Sequence, residues 1–408
     1  MVSTLTIRRL LSVLRTLQWR PPRRCSVLQF GGVSSDFLAS LEFGYKVTVM
    51  PSVGEKVNVA VAIRTILSFQ YSRWAYYRIY TTMAGAQLIV VWHDTTIEAY
   101  HLENHVGVPV WCIQNGHRLD VAPANSQSLF ESIRTERFKQ PVKASRYFVF
   151  GESSQRILEP YVLAEYVQTG SIRLNEYIAK RAPEFISQPR RGMPRIGFIV
   201  SFPNKNDIPG GYVLNNTAPF MRVKRKMISY NEYFAFDALV AQVLAELCAS
   251  NQYSVSIIGK RSERDSIERD YFSKVPGLEQ LKVVAHEKGS GYEVADEFDY
   301  LVAIDSTLGY EMLGLGKRVA FLHNRFGSLG IESEDLAFGY PLELPNDGEF
   351  WCSATEPELI ASFLHRFLQL SDQQWAQLHT NIAPRLMAVD AGNTGLRSMV
   401  QSQLKATI

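Results

Sequence analysis

Short runs rich in Val, Ile, Leu and aromatic residues alternate along this chain with longer stretches whose apolar positions recur every three or four residues. The first pattern reads as buried strand, the second as amphipathic helix. In the first half, Ser26–Phe30, Lys46–Met50, Gln87–Trp92, Val108–Ile113 and Tyr147–Phe150 are strand-like, and Asn58–Tyr80 is one long helix-compatible stretch. Ser187–Pro194 is polar and broken by prolines, so it reads as a linker. A second alternation follows. Strands are expected at Arg195–Phe202, Tyr253–Gly259, Leu281–Ala285, Tyr300–Asp305 and Arg318–Leu322, and helices at Asn231–Ser250, Ser262–Lys274 and Gly309–Leu315. Glu356–Leu370 and Asp372–His379 read as closing helices.

Short apolar strands separated by helices imply parallel sheets covered on both faces. The expectation is therefore an α/β protein of two Rossmann-like, doubly wound domains facing a cleft, with boundaries at 25–190 and 191–408. Residues 1–24 stand apart. Within Thr4–Trp19, Ile7, Leu10, Leu11, Leu14 and Leu17 recur at helical spacing, and Pro21 and Pro22 end the run. Arginines interrupt the apolar part and no small-residue cleavage site follows, so a secretory signal is not indicated. A basic amphipathic helix of this kind suits an anionic membrane surface, the alternatives being a helix docked on the protein itself or on a partner.

Charge sharpens that division. Lys and Arg number 43 against 40 Asp and Glu, and six arginines precede the first acid, Asp36. The near-balance argues against a nucleic-acid binder with a broad basic surface. The four cysteines are far apart with no CxxC pair, so neither a zinc site nor a disulfide framework is expected. The apolar run Leu88–Trp92 is far short of the ~20 residues of a membrane-spanning helix.

Ligands of parallel sheets bind beyond the carboxyl ends of the strands, where loops run into helix N-termini. Three clusters sit at such places. Asp305-Ser306-Thr307 follows an apolar strand and leads into a helix, so two hydroxyls and the exposed helical amides can cradle a phosphate. No Glu or Gln stands three residues after Ser306 or Thr307, so a capping box does not explain them; Glu311 lies where it can accept from a ribose. His93-Asp94 after the strand ending at Trp92 offers a general base, with a capping turn as the alternative. Gln114-Asn115-Gly116-His117-Arg118 contains a common turn dipeptide surrounded by further polar side chains, which suits an active-site loop. Lys260 follows a strand and a glycine and can meet a phosphate, although no Walker pattern precedes it. There is no Gly-x-Ser-x-Gly elbow, no metal-ligand spacing of histidines and no Asp-x-Asp triplet.

The run YLVAIDSTLGYEMLGLGKRVAFL (Tyr300–Leu322) resembles the donor-binding segment of bacterial surface-carbohydrate transferases of the two-domain GT-B fold. WCIQNGHR (Trp111–Arg118), FVFGESS (Phe148–Ser154), TGSIRLNEY (Thr169–Tyr177) and FGYPLELPNDGEFWCS (Phe338–Ser353) resemble, in order, blocks of O-antigen biosynthesis proteins in that group. The resemblance implies a nucleotide-sugar, CMP-activated sugars among the options, held by the C-terminal domain. Ser306 and Thr307 would then contact its phosphate and Glu311 its ribose, with Asp305 and Lys260 nearby. The N-terminal domain would hold a glycan or glycolipid acceptor, with Gln114, Asn115 and Arg118 lining the cleft. Asp94 is the first candidate for the base, and His93 and His117 compete with it. The implied activity is an inverting, metal-independent glycosyl transfer in O-antigen or lipopolysaccharide assembly, with no cofactor, on the inner face of the cytoplasmic membrane. A CDP-polyol phosphotransferase and a non-catalytic membrane scaffold of the same architecture are the alternatives.

Overall fold

The computed structural model describes residues 17–31, 45–92, 94–117, 120–123, 127–181, 192–200, 218–224, 226–250, 252–259, 267–279, 281–284, 291–332, 336–340 and 342–406. Two six-stranded sheets, each parallel throughout, organise it. The first runs in the order Val47–Met50, Val27–Phe30, Leu88–Val91, Val110–Ile113, Lys143–Val149, Leu163–Gln168. The second runs Lys282–Val284, Ser254–Ile258, Arg195–Ile199, Tyr300–Ala303, Arg318–Leu322, Trp351–Cys352. Counted along the chain, the second sheet has the order 3-2-1-4-5-6 of a dinucleotide-binding fold, with its switch point between Arg195–Ile199 and Tyr300–Ala303.

Both faces of the first sheet are buried. Leu28, Phe30, Ile89, Val91, Cys112, Tyr147 and Val149 face one core. The alternate residues Val27, Leu88, Val90, Trp111, Ile113 and Phe148 face another, which the last helix, Thr394–Lys405, closes with Leu396, Val400 and Leu404. The chain therefore returns from the second unit to complete the first. The crossing is tight. A side chain at Gly170, whose φ is +74°, would place its Cβ 1.8 Å from the Ala388 carbonyl oxygen. Asn175 and Asn393, both fully buried, lock the returning turn: Asn175 Nδ2 donates to Asn393 Oδ1 at 3.0 Å, and Asn393 Nδ2 to the Ile172 carbonyl at 2.9 Å.

The structure departs from the sequence reading in several elements. Asn58–Tyr80 is not one helix but two, Val59–Leu67 and Arg73–Ala84, because a left-handed turn at Phe69 ends the first and Ser72 caps the second. A strand at Leu163–Gln168 had not been expected. Neither had the antiparallel sheet in which Pro219–Val223 pairs with Val121–Pro123 of the first unit and with Lys226–Ser229. The expected N-terminal helix falls mostly outside the described residues. At its end Leu17–Gln18 is instead a short strand paired with Val57–Asn58, held by the Asn58 side-chain amide donating to the Arg20 carbonyl at 2.7 Å. Among the described residues, no helix is long and apolar enough to cross a membrane.

Candidate functional site

The switch point of the second sheet carries the Ser306 cluster. Tyr300–Ala303 ends in buried Ile304, and the helix Thr307–Gly314 starts at once, with Ser306 as its N-cap in extended conformation. The Ser306 hydroxyl makes no capping bond, so it is not consumed by the local structure. The helix sits hard on the sheet because residue 309 is glycine: a Cβ there would lie 2.6 Å from Ala303 Cβ and 3.2 Å from the Phe321 ring. Its first-turn amides and partial positive charge therefore point out of the strand end into the crevice.

The first unit meets this helix directly. Val110–Ile113 ends in Gln114, which is buried and braces its own loop: its Nε2 donates to the Gly116 carbonyl at 3.0 Å and its Oε1 accepts from the Phe150 amide at 2.9 Å. Three residues on, the His117 amide donates to Thr307 Oγ1 at 3.0 Å. The His117 ring stacks on Tyr310 with centroids 4.4 Å apart and planes 17° apart. One turn further along the same helix, Glu311 accepts hydrogen bonds from Ser171 of the first unit and from the Tyr292 hydroxyl, the latter at 2.8 Å. Glu311 is buried, which raises its carboxyl above the ordinary range, while those two hydroxyls pull the other way. Thus one helix carries the candidate phosphate cradle and two polar contacts to the opposite unit, alongside others elsewhere such as Arg181 with Asp296 at 2.8 Å and Arg385 with Glu152 at 3.0 Å.

Asp305 does not stand alone. Arg325, just past the strand Arg318–Leu322, donates from Nε to Asp305 Oδ2 at 2.9 Å and also pairs with Asp237. The guanidinium lies 4.3 Å from the Tyr233 ring and donates to the Tyr233 carbonyl at 2.7 Å. Arg325 and Asp237 are buried. Two carboxylates share one guanidinium in a dry setting, and burial pushes Asp237 up to about 6. Arg325 is therefore neutralised by the fold, and Asp305 serves to hold it. His117 of the first unit and Asp305, Tyr310, His323 and Arg325 of the second line a small cavity of about 10 Å³, the size of one water molecule.

Asp94 is placed differently from His117. Its side chain is fully buried, with Oδ2 accepting from the Tyr147 hydroxyl at 2.7 Å and its backbone carbonyl accepting from Tyr100 at 2.7 Å. These bonds fasten the loop after Leu88–Val91 to Tyr147 on the strand Lys143–Val149, one strand beyond its neighbour, and to Tyr100 in the short helix Ile97–His101. Asn115 is half-buried beside His117. His93, Arg118 and Lys260 lie outside the described residues. Beyond His117 the loop reaches Val121–Pro123, and there a second cavity of about 410 Å³ opens, lined by Asp120, Ser128, Glu131, Arg134, Arg222 and Lys224. Its charges are paired across units, Arg222 with Glu131 at 2.6 Å, and within one, Arg134 with Asp120 at 2.7 Å.

Arg325, Asp237, Ser171, Tyr292 and Tyr147 had escaped the sequence reading. Arg325 carries a local signal, since His323-Asn324-Arg325 follows a buried strand just as the other clusters do, and Ser171 lies within the block Thr169–Tyr177.

A family described as "putative O-antigen biosynthesis protein" matches residues 111–404 of this sequence. The chain belongs to that family. The match begins one residue after the start of the strand leading to His117 and ends within the last helix, so it spans the whole of the cleft described above. No protein of curated function shows significant similarity to the chain. Among solved structures, a variant of the wall teichoic acid polymerase TagF is similar at 12% identity and a TM-score of 0.51, over 94% of this chain and 90% of that one. A "putative UDP-N-acetylglucosamine 2-epimerase" from Listeria monocytogenes is similar at 10% identity and a TM-score of 0.51, over 94% and 98%. At these identities the likeness is one of fold: this O-antigen biosynthesis family member has the two-domain GT-B architecture.

Proposed function

We propose that the protein is an inverting, metal-independent glycosyltransferase that moves a sugar from a nucleotide-sugar to a glycan or glycolipid acceptor in surface-polysaccharide assembly. The observation that carries this reading is the contact of His117 with Thr307, which sets a titratable ring beside the helix N-terminus at the switch point. In such a transfer the acceptor oxygen attacks the anomeric carbon from the face opposite the leaving group. A C–O bond forms there while the bond to the leaving phosphate oxygen breaks. The attack needs a group to take the acceptor's proton and a preorganised positive environment for the phosphate.

His117 suits the first role, held in place by Tyr310 and facing the interdomain cavity. Asp94, with its carboxylate turned to Tyr147, suits support of the neighbouring loop. For the second role Arg325 is not available, since Asp237 and Asp305 already balance it. The helix amides, Ser306 and Thr307 supply it instead, with Lys260 as a further donor-side contact. Asn115, on the loop that Gln114 braces, is assigned to the acceptor side, and Arg118 with it by its place in the sequence. The cavity with paired charges near Asp120 and Arg222 suits the hydroxyl groups of a glycan, because matched carboxylates and guanidiniums offer both acceptors and donors, with Lys224 adding one positive charge.

The test is a panel of CMP-, UDP-, GDP- and dTDP-sugars with extracted glycolipid acceptor, with and without EDTA. Product mass and anomeric configuration by NMR are the readouts. Transfer of a sugar with inverted configuration, undiminished by EDTA, is expected. A transferred polyol phosphate would establish the phosphotransferase instead.

A further inference from the structure

The surface of the first unit carries an apolar patch that nothing in the described structure covers. On the helix Val59–Leu67, Val61 and Thr65 are buried, whereas Ile63, Ile66 and Leu67, at i, i+3 and i+4, form a stripe facing solvent. Phe69 and Tyr71 extend it, 81% and 74% exposed, and Trp19 is also exposed. A connected group of this size is uncommon on a surface with no binding partner.

Phe69 adds a second, independent sign. The helix ends in a paired turn in which the Phe69 amide donates to the Ile66 carbonyl at 3.0 Å and the Gln70 amide to the Thr65 carbonyl at 3.2 Å. This turn needs a left-handed residue, normally glycine, and Phe69 has φ +56°. The chain accepts a strained backbone to hold an aromatic ring out in water.

We propose that this patch is a docking surface for an anionic lipid bilayer. Its chemistry selects that occupant. The stripe is convex, a helix face rather than a groove. From Val57 to Met83 the chain contains Arg64, Arg73 and Arg78 and no acid, and from Leu17 to Gly31 it contains Arg20, Arg23 and Arg24 and no acid. Of these, Arg73 is paired to an acid further along the chain, Glu98 at 3.5 Å. Trp, Tyr and Phe with arginines around them match a headgroup boundary above anionic phosphates. The chain also leads there. Leu17–Gln18 pairs with Val57–Asn58, and Asn58 caps the helix that bears the stripe, so the leucine- and arginine-rich residues 1–16 join the fold beside the patch.

The experiment is co-sedimentation of the full chain with phosphatidylcholine vesicles, with and without phosphatidylglycerol, at low and high salt. Two variants accompany the wild type: the pair Ile66→Ser and Leu67→Ser, and Phe69→Gly, which relieves the left-handed strain and so retains the fold. The wild type binds the anionic vesicles, binds less at high salt, and each variant binds about tenfold more weakly, with a melting temperature no lower than that of the wild type. Variants that bind as the wild type does overturn the proposal and leave residues 1–16 as the whole attachment. A wild-type dimer that both variants dissociate, without change in vesicle binding, overturns it in favour of contact between two copies. Neither outcome bears on the donor chemistry proposed above, since no residue changed here lines either cavity.

Discussion

The His117 amide donates a 3.0 Å hydrogen bond to the Thr307 hydroxyl, joining positions 190 residues apart across the cleft. The same hydroxyl sits on the first residue of the helix that points its amides into the crevice. The candidate phosphate cradle is thereby tied directly to the loop of the opposite unit. Thr307→Ser, which keeps the oxygen, should behave as wild type. Thr307→Val, which removes it at similar volume, should lose about 0.5–1.5 kcal/mol of cross-cleft stabilisation and loosen the units. Small-angle scattering on the two variants distinguishes them; identical profiles would show that the bond does not hold the cleft.

Replacing His117 tests the division of labour at the cleft. His117→Asn should lower kcat by about 10²–10⁴-fold, the span expected for losing a general base, with little change in melting temperature. Asp94→Asn should act chiefly through stability, because the Tyr147 and Tyr100 bonds around it hold the loop. The reverse pattern in kcat would return the base to Asp94.

Glu311 has two buried hydroxyl partners, one from each unit. Glu311→Ala leaves both unsatisfied and should destabilise by about 1–3 kcal/mol, whereas Glu311→Gln keeps an acceptor for each. Nucleotide titration of the Gln variant then isolates any ribose contact. Weaker nucleotide binding at unchanged melting temperature is the expected result. Unaltered affinity would confine Glu311 to holding the units together.

Much of this was legible in the sequence, and what was not has a physical reason. Fully buried strands such as Leu88–Val91 and Val110–Ile113 are uniformly apolar and stand out. Leu163–Gln168 is the edge of its sheet and every residue of it is at least partly exposed, with Glu165 on one face and Gln168 on the other, so it shows neither a uniform apolar run nor a clean alternation. The Ser306 cluster was visible because strand, hydroxyls and helix are adjacent in sequence. The Arg325–Asp237–Asp305 group was not, because its members meet only through folding, and no local rule pairs Asp237 in mid-helix with a residue 88 positions on. The TGSIRLNEY block shows the same limit. Gly170 and Asn175 stand out there only through the resemblance, yet both are dictated by the returning chain at Ala388–Asn393.

The Arg325 group also sets a pH dependence. Asp237 is raised from 3.8 to about 6 by burial, so its stabilising contribution is complete below 3.8 and is lost as pH rises through about 6. Asp237→Asn should flatten that part of the curve. Melting temperatures of both proteins between pH 4 and 7 check it: the wild type should lose stability relative to the variant as pH rises across this window. Parallel curves would mean that Asp237 is ionised throughout.

The central claim is that the strand end and helix N-terminus at Ser306–Thr307 hold the phosphate of a nucleotide donor. Calorimetric titration of CMP, CDP, UDP, GDP and dTDP into the wild type and the double variant Ser306→Ala, Thr307→Ala tests it most directly. One of these nucleotides should bind the wild type, and the double variant should lose about 1.5–3 kcal/mol per lost charge-assisted hydrogen bond while remaining folded. Binding of equal strength to both proteins, or of none of the five nucleotides to the wild type, would contradict the account.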